Sequence, residues 1–74
     1  MKHRVNLDTT TNIANFVLAV SKLPDNVRVF IKNRDGSLSI DGKSFLGLAH
    51  AREFDELYCV CDTDIYNIIK DFVI

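Results

Sequence analysis

No sign of charge dominates this sequence: nine Lys and Arg stand against ten Asp and Glu, for a net charge of −1. A near-neutral balance with both signs scattered offers no basic stripe for nucleic acid and no polybasic membrane anchor. Long apolar runs are also missing. None approaches the roughly 20 residues of a membrane span. The opening Met1-Lys2-His3-Arg4 turns polar by Asn6 without the continuous apolar segment of a secretory signal, so a cytoplasmic location is expected. Cysteine is confined to Cys59 and Cys61. In a strand these point to one face, a poor arrangement for a disulfide, and a C-x-C metal site needs ligands that the two histidines do not supply at matching spacing. Two buried thiols are expected, with no metal and no cofactor. There is no phosphate-binding glycine loop, no Ser-His-Asp set and no pair of catalytic carboxylates, so no catalytic residue and no enzyme activity are expected. Glu53, Asp55, Glu56, Asp62 and Asp64 flank a strand without the spacing of a calcium loop and read as a solvated rim.

What is present is a 47% hydrophobic, 26% charged chain of 74 residues, which is the composition of an ordinary globular protein. One domain, residues 1–74, is all that such a length supports, with roughly 60–65% of its surface buried. Lys2 to Leu7 reads as a first strand with Val5 and Leu7 on one face. Leu7-Asp8-Thr9-Thr10-Thr11-Asn12 then offers several N-cap residues ahead of an apolar stripe, Ile13, Phe16, Val17, Val20 and Leu23, so a helix starts here and Pro24 stops it. A helix N-terminus favours anions, although the carboxylate of Asp8 competes for that position. Val27, Val29 and Ile31 alternate with Arg28 and Lys32, and Asn33-Arg34-Asp35-Gly36 supplies a turn. Ser37 to Ile40 alternates again, which makes residues 27 to 40 an antiparallel hairpin with Phe30 on its outer face.

Ser44 stands at the N-cap of a short helix carrying Phe45, Leu46 and Leu48, in which Gly47 lowers helix propensity. Leu57 to Cys61 reads as a central strand. Asp62 or Thr63 caps a last helix with the stripe Ile65, Ile68, Ile69, Phe72 and Val73. The order β-α-β-β-α-β-α predicts an α+β, open-faced sandwich with a four-stranded antiparallel sheet and helices on one face.

This order, the run Asn15-Phe16-Val17, the hairpin and Gly42-Lys43-Ser44-Phe45-Leu46-Gly47-Leu48 resemble HPr, the histidine-containing phosphocarrier family of the bacterial phosphoenolpyruvate:sugar phosphotransferase system. The resemblance covers nearly the whole chain. In that family a histidine at the start of the first helix carries the phosphoryl group. Aligning Phe16-Val17 with the family's matching pair puts Thr9 at the histidine, Thr11 at the family's arginine and Asn12 at its proline. An imidazole forms a reactive phosphoramidate, whereas a threonine hydroxyl with no adjacent base is a weak nucleophile that forms a stable ester. The resemblance therefore implies the HPr fold and points away from the family's reaction.

Ser44 matches a position that an ATP-dependent HPr kinase phosphorylates in some members, so regulation at Ser44 competes with plain capping as its role. Phe45, Leu46 and Leu48 are candidates for an exposed apolar patch facing a protein partner, of the phosphotransferase-system or HPr-kinase type, because a one-turn helix cannot bury every side chain. A displaced carrier using His50 is the alternative, and His3 is a weaker candidate. The expected function is a protein-binding or regulatory module.

Overall fold

Segments of period two become strands, and segments of helical period become helices. The chain was analysed as a computed structural model that describes every residue except Asp55. It runs β1 (Lys2–Val5), α1 (Thr10–Val20), β2 (Val29–Asn33), β3 (Ser39–Asp41), α2 (Phe45–Ala51), β4 (Leu57–Cys61) and α3 (Tyr66–Ile69), followed by a 3-10 turn, Lys70–Phe72. The α+β class and the element order agree with the expectation. All pairings in the sheet are antiparallel, in the spatial order β1-β4-β2-β3. No helix among the described residues is long and apolar enough to cross a membrane.

Alternation along the two central strands sorts the side chains. Leu57, Cys59 and Cys61 of β4 and Val29 and Ile31 of β2 are buried, and they meet Ile13, Phe16 and Val20 of α1, Leu48 and Ala51 of α2, and Ile69 of α3. Phe16 lies edge-on to Phe72 with ring centroids 5.4 Å apart. Both thiols are free and buried, as the C-x-C spacing in a strand requires. Burial, followed by the neighbouring Cys61, pushes the Cys59 thiol up to about 12.

β1 ends at Val5 rather than Leu7 and β3 spans Ser39–Asp41 rather than Ser37 to Ile40, and four further ends differ from the periodic reading for identifiable reasons. α1 ends at Val20, ahead of Pro24, because the N–H groups of Lys22 and Leu23 turn back to the carbonyls of Ala19 and Val20. Val27 precedes β2, since its N–H closes a turn on the Pro24 carbonyl at 2.9 Å. α3 is only four residues long, and its first N–H is met by Asp64 Oδ1 at 3.0 Å rather than by Asp62 or Thr63. The predicted stripe does not hold throughout: Ile68 is exposed beside buried Ile69, and Val73 leaves the helix to bridge Val5. Asn6 N–H to Phe72 O and Ile74 N–H to Arg4 O complete this contact, so the C-terminal residues occupy part of the free edge of β1.

All three glycines are set by geometry, and a Cβ on Gly42 would stand 2.8 Å from Val29 Cγ1. Gly36 adopts φ +78° in the β2–β3 turn. A Cβ on Gly47 would stand 2.6 Å from Ile40 Cγ2, so this residue lets α2 lie against β3 at the expense of helix propensity.

Candidate functional site at the helix ends

The start of α1 is capped by Thr9, whose extended backbone turns Oγ1 toward the Asn12 N–H at 3.0 Å, while the Thr9 carbonyl accepts from Ile13 N–H at 3.0 Å. Asp8 is not the cap. Its own N–H donates to Asn6 Oδ1 at 3.1 Å. Thr11 is exposed, and Asn12 Nδ2 reaches the Asn6 carbonyl at 3.5 Å. The three positions Thr9, Thr11 and Asn12 contain no imidazole, thiol or carboxylate, and the Thr9 hydroxyl is spent on capping.

A cation does reach this site, from a residue that periodicity does not single out. Arg52, the C-cap of α2, donates from Nη1 to Thr10 Oγ1 at 3.1 Å, which ties the C-terminal end of α2 to the N-terminal turn of α1. The only sequence signal was an arginine immediately after a short helix, in a segment that reads as a polar link. Beside it an open cleft of about 260 Å³ is lined by Asn6, Asp8, Arg52, Phe54 and Ile74 among others. His50 is exposed in the last turn of α2, two residues before Arg52.

The other candidates sit at the opposite end of α2. Ser44 is its N-cap, with Oγ accepting from Gly47 N–H at 3.2 Å. Seven residues at about 1.5 Å each separate it from Arg52, so the capping serine and the α1 N-terminus form two neighbouring places rather than one constellation. Phe45 and Leu46 are exposed, Leu46 at 75%. Leu48 is corrected: it is fully buried, because α2 turns that position toward the core, and it does not contribute to an exposed patch. Leu18 on α1, 65% exposed, is an outward apolar residue that the stripe reading passed over.

His3 lies on the inward-facing side of β1 and packs against Tyr66, with ring centroids 5.2 Å apart, away from both places. Among the described residues no group of three or more His, Cys, Asp or Glu is arranged to hold a metal, and Asp55 of the acidic rim lies outside those residues. Comparison of the chain with protein-family models, with curated proteins and with solved structures gave no match.

Proposed function

We propose that this protein is an HPr-like binding or regulatory module that does not carry phosphoryl groups. The observation that supports this reading is the use of Thr9 Oγ1 as a helix cap at the position where the resemblance calls for a phosphorylatable histidine. The N-terminal end of α2, half-buried Ser44 with exposed Phe45 and Leu46, is the surface proposed to meet a protein partner. Phosphate added to Ser44 would be favoured at the helix N-terminus and would place charge beside the apolar pair, which gives a kinase of the HPr-kinase type a means of switching that surface. Incubation with phosphoenolpyruvate and the general phosphotransferase enzyme is expected to leave no acid-labile phosphate on the chain, and robust labelling would overturn the reading. Treatment with ATP and HPr kinase is expected to give acid-stable phosphate that Ser44→Ala abolishes.

One contact favours a second reading, in which His50 acts as a displaced phosphoryl carrier. The Arg52–Thr10 hydrogen bond joins the His50 end of α2 to the first turn of α1, where a cation and backbone N–H groups together suit a phosphoryl group. This reading predicts labelling that is lost in His50→Ala and retained in Thr9→Ala.

A further inference from the structure

The face of the sheet that no helix covers carries a chemistry of its own. Its outward positions are Lys2 and Arg4 on β1, Tyr58 and Val60 on β4, Phe30 and Lys32 on β2, and Ser39 and Asp41 on β3, with Arg28 just ahead of β2. Five of the nine Lys and Arg residues, Lys2, Arg4, Arg28, Lys32 and Arg34, stand on or beside this face, against three acidic groups among the described residues, Asp41, Glu56 and Asp62. The scattered charges of the sequence are thus gathered by the fold. Lys2 Nζ lies 4.8 Å from the centre of the Tyr58 ring, and Arg28 and Lys32 lie 6.0 and 5.9 Å from that of Phe30. Arg4 and Arg34 are also close enough for their charges to act on the Tyr58 phenol, whose O–H donates to Glu56 at 2.9 Å and so steadies the ring.

We infer that this open face binds a single-stranded polynucleotide, whose bases stack on Phe30 and Tyr58 while its phosphates meet Lys2, Arg4, Arg28 and Lys32. In register Phe30 stands opposite Val60, and Tyr58 opposite Lys32, so the two aromatic residues are diagonal neighbours on the central strands, with Cα atoms about 7–8 Å apart. Four strands at about 4.8 Å spacing give a platform about 14 Å across, enough for the two or three bases that a sheet surface stacks. Between Phe30, Val60, Met1 and Arg28 runs an open groove of about 440 Å³, apolar along its floor, with the cation of Arg28 and the carboxylate of Asp62 on its walls. The cations already resting on the rings do not compete strongly. An exposed cation–π contact is worth less than base–aromatic stacking, so an incoming base displaces the ammonium of Lys2 toward the phosphate beside it. An apolar protein surface would instead desolvate four cations without pairing them, and a duplex offers no base face to the two rings.

The test is fluorescence anisotropy of a fluorescein-labelled oligouridylate with the intact protein. Saturable binding is expected, with log K falling against log salt at a slope between about −2 and −3 for three to four phosphates. Phe30→Leu and Tyr58→Leu, which keep apolar bulk, should each weaken binding at least about fivefold with thermal melts close to the parent. Arg4→Gln, at an exposed position, should make the salt slope shallower by about 0.7. Absence of binding overturns the proposal, as do leucine variants that bind like the parent. Equal affinity for duplex RNA or for polyglutamate overturns it as well, since either would reduce the face to a general binder of polyanions.

Discussion

The two faces of one sheet differ more than any two segments of the sequence do. Within β2, Val29 and Ile31 are buried while Phe30 and Lys32 remain half-exposed, and within β4 Leu57, Cys59 and Cys61 alternate in the same way with Tyr58 and Val60. The inner face is apolar and buried along β2 and β4. The outer face is aromatic and cationic, with rings flanked by Lys2, Arg28 and Lys32. Because side chains alternate along a strand, one set of hydrogen bonds holds both faces in place, while burial is concentrated on one of them. Stability therefore rests on the helix-covered side, and the outer residues are free to meet a partner.

The largest effect that would sharpen this contrast is the truncation of Phe16, fully buried against the inner face. Phe16→Ala is expected to cost about 3–5 kcal/mol, enough to unfold much of so small a domain. Ile31→Ala should cost about 2–5 kcal/mol, whereas Phe30→Ala, its immediate neighbour on the other face, should cost clearly less. Urea denaturation of the pair reads the difference directly, and equal losses would break the comparison.

A second measurement examines how well buried the inner face is. The Cys59 thiol is raised from 9.0 to about 12 in the folded state, so below about pH 9 both states hold the proton and the full stability is present. As pH climbs from there to about 12 the unfolded chain loses the proton first, and stability falls. Cys59→Ala should flatten that part of the pH profile. A thiol that reacts with a maleimide at pH 8 as fast as a free peptide thiol would contradict the burial.

The smallest effects belong to the helix caps. Thr9→Ala and Ser44→Ala each remove one hydrogen bond to a first-turn N–H and should cost about 1 kcal/mol in thermal or chemical denaturation. If Ser44 serves a partner as well as a helix, Ser44→Thr should restore the stability while altering partner binding.

Much of the fold was legible because its signals are local. The alternation through Val29, Phe30 and Ile31, the turn at Asn33 to Gly36 and the cap at Ser44 each depend on neighbours within a few residues. Legibility failed where distant segments compete. α3 stops at Ile69 because Val73 finds a partner in Val5, which lies 68 positions away. Gly47 reads as a weak point of a helix until Ile40 is brought against it. Leu48 and Leu46 look equivalent on a short helix, and only the packing of α2 decides that the former is core and the latter exposed.

The candidate site divides along the same line. Identity at the start of α1 was a matter of sequence: Thr9, Thr11 and Asn12 lack an imidazole wherever the helix is placed. The arrival of Arg52 beside Thr10, 42 positions earlier, was not. The sequence by itself determined the order of strands and helices and the caps of α1 and α2, because propensity, periodicity and capping act over one or two turns. Only the tertiary structure decided how charge is distributed. A net charge is a sum without positions, and the antiparallel register set Lys2, Arg4 and Lys32 on one face with two aromatic rings by bringing together strands that the chain keeps far apart.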